Sequence, residues 1–240
     1  MTQIKHTATH TGKRPLSLFR RLLFSAILVL LNPVAVFAQD AEGEGGPFTQ
    51  LERLLAAMLT LDADVQQLIV ESDGGVLEES VIRMRLKKPA GFAWETLDPF
   101  PELLVTNGVW LWNYQPDLEQ VVIEPWQSDE SELAAQLLGG DTQALNRDYS
   151  IQRAAGSESE ASLGVVEFWL TPFDVGNINR RVSISFVAER LDSLVLEARS
   201  GQRTVWRFEN VVLNEDIDDA VFEFTPPAGV EVIQNSYSQP

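Results

Sequence analysis

One pattern constrains the fold most: after Leu61, apolar and polar residues alternate in short segments separated by Gly, Pro, Asn and Asp turns. Alternation with a period of two is typical of a half-buried β-strand. In the clearest segment, Ile82, Met84 and Leu86 share one face while the side chains between them are basic. Because the segments recur roughly every 8–15 residues, the sequence favours a single sandwich or barrel.

Predicted strands account for most of the chain. In the first half, after the turn Asp73-Gly74-Gly75, they lie at Ile82–Leu86, Phe92–Thr96, Glu102–Thr106, Val109–Tyr114 and Leu118–Ile123. In the second half they lie at Tyr149–Arg153, Gly164–Leu170, Asn179–Val187, Ser193–Ala198 and Arg203–Val212. Phe222-x-Phe224 and Val230-x-Val232 predict a strand and a closing strand on either side of Pro226-Pro227.

Two segments carry a helical pattern instead. Thr49 and Glu52 have the spacing of a capping box, and the residues that follow form one apolar helix face: Leu51, Leu54, Leu55, Met58 and Leu59. This pattern predicts a helix at Thr49–Thr60. A second helix is predicted at Asp129–Leu138, which includes Leu137 and stops at a Gly-Gly pair of the kind that ends helices.

The first 38 residues have the organisation of a secretion signal. Lys13, Arg14, Arg20 and Arg21 precede the apolar run from Leu22 to Leu31, and small residues stand at the −3 and −1 positions of a cut after Ala38. We therefore expect residues 1–38 to be a cleaved signal peptide, residues 39–46 a flexible Gly-rich linker, and residues 47–240 a single exported domain.

Composition excludes several kinds of chemistry. The presequence holds five basic residues and no acidic one, so its removal leaves 13 basic and 35 acidic residues, a charge of 13 − 35 = −22. It also removes His6 and His10, the two histidines of the chain, which has no cysteine. Nucleophile systems and zinc sites built on His or Cys are therefore excluded. The negative charge predicts no binding of nucleic acid.

Carboxylates are the remaining candidates for catalysis or metal binding. They cluster at Glu119, Glu124, Asp129 and Glu130 and again at Glu215, Asp216, Asp218 and Asp219. These runs fall in turns and at predicted helix starts, where acidic residues commonly cap and solvate the backbone. The second run also lacks the Gly and the terminal Glu of a calcium loop. We therefore predict no enzyme activity, no metal site and no cofactor.

Two further stretches leave two interpretations open. Trp110, Trp112 and Tyr114 share one strand face and lie close in sequence to Phe92 and Trp94, which indicates either ordinary core or a pocket for an apolar ligand.

A basic stretch holds four of the 13 basic residues of the mature chain, at Arg83, Arg85, Lys87 and Lys88. It indicates either a solvated outer strand face or a contact patch near the mouth of a cavity.

Four segments resemble, in order, motifs of the LolA family, the periplasmic carriers of outer-membrane lipoproteins. The family elements are K-R-P-x-x-F-x-W, D-G-x-x-L-W-x-Y-x-P, L-T-P…G-N and F-x-F-x-P-P-x-G-V. In this chain the matching segments are Leu86–Trp94, Thr106–Pro116, Leu170-Thr171-Pro172 with Gly176-Asn177, and Phe222–Val230. The resemblance as a whole extends over about residues 47–234.

The resemblance implies a fold and a binding site. The family fold is mainly β: an unclosed antiparallel β-barrel with short helices that form a lid over a hydrophobic cavity. The residues then expected to contact ligand are Leu51, Leu54, Leu55, Met58, Phe92, Trp94, Trp110, Trp112, Tyr114 and Leu137. Lys88 stands where the family has an Arg that latches the lid through helix carbonyls.

The resemblance also implies partners. The cargo would be acylated lipoproteins, loaded by an ATP-driven LolCDE-like exporter of the inner membrane and handed to a LolB-like acceptor at the outer membrane. The carrier itself would be a monomer. The alternative within the same fold is a periplasmic lipid shuttle or an envelope-stress sensor.

Overall fold

The computed structural model describes residues 45–126, 142–156 and 162–235. The predicted signal peptide, the predicted linker up to residue 44 and the predicted helix Asp129–Leu138 with Leu137 lie outside the described residues. Within them the chain forms one twelve-stranded sheet, two α-helices and two short 3₁₀ turns. None of the helices described here combines the length and the hydropathy needed to span a bilayer.

The sheet is unclosed. Its strands in chain order are β1 Thr60–Val70, β2 Val76–Lys87, β3 Gly91–Asp98, β4 Glu102–Thr106, β5 Trp110–Gln115, β6 Gln120–Pro125, β7 Tyr149–Arg153, β8 Val165–Pro172, β9 Asn179–Val187, β10 Arg190–Ala198, β11 Arg203–Leu213 and β12 Glu231–Gln234. They are arranged as β12-β6-β5-β4-β3-β2-β1-β11-β10-β9-β8-β7. Neighbours are antiparallel except for β12 and β6, and the terminal strands β7 and β12 do not pair with each other. The predicted mainly-β, unclosed class is confirmed.

Each strand alternates between two faces, and both faces are apolar in part. We call the face that carries Phe92 and Trp94 the inner face. Its buried residues form the larger apolar cluster, which includes Leu61, Ile82 and Met84. The opposite, outer face has a second cluster, made of Ala93, Val105, Trp112, Val121 and Phe222. Residues paired across strands share a face, and Ala93, Val105, Trp112 and Ile123 are linked by such pairing.

Helix α1 (Pro47–Ala57) covers part of the inner cluster. It starts two residues earlier than the predicted Thr49–Thr60 and ends three residues earlier, so Leu59 lies outside the helix and is 60% exposed. Pro47 lies in its first turn, and the N-cap is Gly46, without a side-chain hydrogen bond. The predicted Thr49–Glu52 capping box is therefore wrong, because proline with its fixed φ and absent N–H starts this helix. The Glu52 carboxylate instead accepts a hydrogen bond from Thr142 Oγ1 at 3.1 Å, in helix α2 (Thr142–Asp148).

Residues 215–230, which we call the C-terminal segment, cross the outer face. The predicted strand at Phe222-x-Phe224 is wrong: Asp219–Phe222 is a 3₁₀ turn, capped by the Asp218 side chain. Phe222 is buried, and Phe224 packs against Tyr114 with ring centroids 5.2 Å apart. Both aromatic side chains pack onto the outer face of the sheet, although their segment is not a strand of it.

The contact between Gly91 and Phe222 yields a stability prediction. A Cβ on Gly91 would lie 2.8 Å from Phe222 Cδ2, and the buried ring has little room to move. We expect Gly91→Ala to lower the free energy of unfolding by about 1–3 kcal/mol through overpacking, measured by urea denaturation. Combined with Phe222→Ala, the loss should be smaller than the sum of the single losses. Strictly additive losses would contradict the contact.

Candidate functional site

The candidate site is the apolar layer between α1 and the inner face. The apolar side chains that α1 and its C-cap contribute are all at most 3% exposed: Leu51, Leu54, Leu55 and Met58. They belong to the same cluster as the aromatic side chains of β3 and β11. A layer built mainly of apolar side chains suits an apolar ligand whose carbon surface can replace protein side chains.

Aromatic rings form the part of the layer contributed by the sheet. Phe92 stacks on Trp94 with ring centroids 6.3 Å apart, and Trp94 meets Trp206 edge-on at 6.2 Å. The Trp206 indole N–H is satisfied by Gln67 Oε1 at 2.6 Å. The ring faces are therefore free to pack against apolar groups, and the polar N–H of Trp206 already has a partner.

The structure brings six of the ten predicted ligand-contact residues together: Leu51, Leu54, Leu55, Met58, Phe92 and Trp94. Leu137 lies outside the described residues. The sequence-based set omitted Trp206 and Phe208, which belong to the same cluster. Their signal was present, because they alternate at period two within the predicted strand Arg203–Val212.

The structure does not bring Trp110, Trp112 and Tyr114 together with Phe92. Trp112 and Tyr114 belong to the outer-face cluster, and Trp110, on the same strand face, is 37% exposed. Alternation showed that the three side chains share a face, but it carries no information about which face that is. Of the two interpretations left open, core packing under the C-terminal segment is the one that fits Trp112 and Tyr114.

Lys88 fastens α1 at its carboxyl end. Its Nζ donates a hydrogen bond to Leu55 O at 2.6 Å, and its backbone N–H donates to Leu59 O at 2.9 Å. A cation at this end of a helix also meets the negative end of the helix dipole. Burial lowers the pKa of the Lys88 ammonium, because desolvation disfavours its charged form.

Two more polar contacts hold the same helix. Asn214, which follows β11, donates from Nδ2 to Ala57 O at 3.0 Å and accepts at Oδ1 from Leu59 N at 2.8 Å. Arg53 pairs with Glu189 at 2.9 Å, but both side chains are more than half exposed, so this ion pair adds little. Asn214 was not predicted from the sequence, where the only indication of its role was its position just after the end of a predicted strand.

The other basic side chains of this stretch are engaged on the outer face. Arg83 pairs with Asp62 and Asp64, at 2.6 and 2.9 Å, and its interaction with Asp62 is the largest of the contacts that raise the pKa of Arg83. Lys87 donates to Ile217 O and to Asp219, both at 2.6 Å. The basic run is thus a partnered outer strand face, from which Lys88 departs by reaching to α1.

Metal binding has no visible basis among the residues described. Within 45–126, 142–156 and 162–235, no group of three or more Asp and Glu side chains is arranged to hold a metal ion. What the arrangement can do physically is exclude water from an apolar ligand beneath a helix held by a few hydrogen bonds.

Comparison with known proteins identifies the family. The model of the family "Outer membrane lipoprotein carrier protein LolA" matches residues 56–225. The chain belongs to the LolA family. A protein named outer-membrane lipoprotein carrier protein from Azotobacter vinelandii is 35% identical over 217 residues, which cover 90% of this chain and 99% of that protein.

Other relatives agree with this assignment. A protein of the same name from Chromohalobacter salexigens is 32% identical over 194 residues, 81% of this chain and 90% of its own. Among solved structures, an uncharacterized conserved protein from Thermus thermophilus superposes with a TM-score of 0.50 at 13% identity, over 78% of this chain and 97% of that one. At this identity the likeness concerns the fold alone.

The Lys88 contact in this LolA-family chain yields a second prediction. Lys88→Met keeps an apolar stem and removes the donor to Leu55 O. We expect the amides in the last turn of α1 to exchange hydrogen about ten- to a hundredfold faster, because a hydrogen bond from a charged group contributes roughly 1.5–3 kcal/mol. Lys88→Arg, which retains a cationic donor, is the matched control. Unchanged exchange in Lys88→Met would mean that the contact does not hold the helix.

Proposed function

We propose that this protein is a periplasmic chaperone that binds the acyl chains of lipoproteins released from the inner membrane and carries them to the outer membrane. The observation that carries the proposal is the apolar layer between α1 and the inner face, under a helix whose end is held by Lys88 and Asn214. Membership of the LolA family, with relatives named outer-membrane lipoprotein carrier protein, supports it.

The energetics of lipid transfer explain the need for such a layer. An acyl chain of about 16 carbons at roughly 0.8 kcal/mol per buried CH₂ contributes on the order of 12 kcal/mol to membrane affinity. A lipoprotein with two or three chains therefore cannot cross water unaided at a useful rate. A carrier has to offer an apolar environment close to that of the membrane and yet release the chains at their destination.

Opening of α1 is the proposed step that admits the chains. The side chains of Leu51, Leu54 and Leu55 leave the inner face, and acyl carbons take their place, so the inner face stays covered by apolar surface. The polar contacts of Lys88 and Asn214 are then the net barrier. A charge-assisted hydrogen bond contributes roughly 1.5–3 kcal/mol and a neutral one about 1 kcal/mol, which suits a lid that opens reversibly.

Burial of the Lys88 charge acts against closure. Its pKa is lowered in the closed state, so that state binds the proton less tightly than an open, solvated state. The cost of closure is therefore present below the pKa of the closed state and is relieved as the pH rises through it. The charged ammonium therefore has two opposing effects: it holds the helix through Leu55 O, and its own desolvation makes the closed state less stable.

The remaining parts of the proposal concern processing and partners. The mature protein begins near residue 39 after cleavage at Ala38 and acts as a monomer in the periplasm. Its cargo is acylated lipoproteins, loaded by a LolCDE-like exporter and passed to a LolB-like acceptor. The carrier binds without catalysis and uses no cofactor.

A release assay tests the function. Spheroplasts of the source organism making a labelled outer-membrane lipoprotein are incubated with purified residues 39–240, and lipoprotein in the supernatant is measured. We expect a soluble one-to-one complex, lost in Phe92→Glu because a carboxylate enters the apolar layer. Phe100→Glu, at a side chain that is 73% exposed in the β3–β4 turn, is the matched control and should release normally.

Folding of each variant is checked by circular dichroism. If Phe92→Glu is unfolded, Trp94→Gln, at a half-buried position of the same face, replaces it. Absence of release by the folded wild-type protein would contradict the carrier function. In that case lipids that co-purify with the protein, identified by mass spectrometry, would indicate a lipid shuttle.

A quenching experiment tests which face binds the chains. Brominated acyl chains quench tryptophan fluorescence on contact, and Trp94 and Trp112 lie in the inner and outer clusters respectively. With a brominated diacyl peptide, the quenched fraction should fall in Trp94→Phe and stay near the wild-type value in Trp112→Phe. A larger fall in Trp112→Phe would place the chains under the C-terminal segment instead.

A further inference from the structure

Asn214 lies where helix α1, strand β1 and the C-terminal segment meet. Its side-chain amide donates to Ala57 O and accepts from Leu59 N. Its backbone N–H donates to Thr60 O at 3.0 Å. One amide group therefore binds Ala57 O, a carbonyl that the end of the helix leaves without an intrahelical partner, and the N–H of Leu59 just beyond the helix.

The conformation of Asn214 directs the chain away from the sheet. Its φ of 61° is in the left-handed region, which Asn tolerates better than most residues. The next residue is held at the same place, because Thr60 Oγ1 donates to Glu215 O at 2.6 Å. A displacement of the end of α1 therefore acts directly on the first residues of the C-terminal segment.

A second connection runs through two consecutive lysines. Lys88 Nζ binds Leu55 O of α1, over the inner face. Lys87 Nζ binds Ile217 O and Asp219 of the C-terminal segment, over the outer face. The two layers that cover opposite faces of the sheet are thus fastened by neighbouring residues at the end of β2.

We propose that Asn214 is a second fastening of α1 and that, with Lys87 and Lys88, it couples opening of the helix on the inner face to loosening of residues 215–224 on the outer face. The inference rests on the proposed function, since the opening concerned is the one that admits acyl chains. Cargo under α1 draws Leu55 O and Ala57 O away from their donors. Asn214 and the end of β2 are then released, and with them the start of the C-terminal segment.

As a consequence, the C-terminal segment on the outer face reports whether acyl chains are bound on the inner face. A partner that contacts the C-terminal segment meets a tightly held segment on the empty carrier and a loosened one on the loaded carrier. Discrimination between the two states then requires no contact with the cargo itself, because the same few hydrogen bonds serve both faces.

A pair of Asn→Gly variants tests the proposal. Asn214→Gly keeps a left-handed backbone without strain and removes the two side-chain hydrogen bonds to α1. Asn210→Gly is the matched control: Asn210 also has a positive φ, of 50°, lies in β11, the strand that Asn214 follows, and donates to Asp64 Oδ2 at 2.8 Å on the outer face. The probe is a fluorescent dipalmitoylated peptide. Its dissociation rate and the hydrogen exchange of residues 217–224 are measured in the full mature protein.

We expect dissociation of the probe to be about five- to tenfold faster in Asn214→Gly and unchanged in Asn210→Gly. In the wild-type protein, hydrogen exchange of residues 217–224 should rise when the probe binds, and this response should be lost in Asn214→Gly. Equal dissociation rates in the two variants would overturn the fastening. Unchanged exchange in the probe-bound wild type would overturn the coupling. A wild-type protein that does not bind the probe at all would instead overturn the proposed function.

Discussion

A sheet that is apolar on both faces needs a cover on each of them, and this requirement organises the rest of the structure. On the inner face the cover is α1, whose leucines complete the larger cluster. On the outer face it is the C-terminal segment, whose Phe222 completes the smaller one. Since neither cover is a strand of the sheet where it packs, each is held mainly by side chains. Either cover can therefore leave without breaking the ladder of hydrogen bonds that maintains the sheet.

The two covers differ in what could replace them. The inner cover lies over broad aromatic and aliphatic surface, where acyl carbon can substitute for leucine at little cost in buried area. The outer cover is seated more specifically: the Phe222 ring fits against Gly91, where a single added carbon would clash, and Asn107 donates to Glu223 at 3.0 Å. Packing that depends on shape is disrupted by small changes, so an exchangeable ligand is better suited to the inner face.

Sequence patterns predicted the elements better than their placement. The period of two located strands such as Asn179–Val187 with the observed bounds, because alternation follows directly from strand geometry. It could not assign Trp112 to a face, since both faces are apolar here. The helical period of α1 identified its buried leucines correctly. The capping box did not form, because the helix starts at a proline two residues before Thr49. Asn214 escaped prediction because its role depends on Ala57 and Leu59, which are more than 150 positions away in the chain.

The choice of lysine at position 88 follows from the same requirement of a removable cover. The resemblance to the LolA family implies an arginine at this position, and a guanidinium offers a planar fork of several donors with a more weakly hydrated charge. Lysine offers one compact ammonium, which loses more hydration when half-buried, and its lowered pKa reflects that loss. A weaker single contact needs help to hold the helix end, and Asn214 supplies it with two neutral hydrogen bonds. Neutral bonds carry no comparable cost of charge burial, so in the proposed mechanism a hold divided between one charged and one neutral group keeps α1 closed when empty and still free to open.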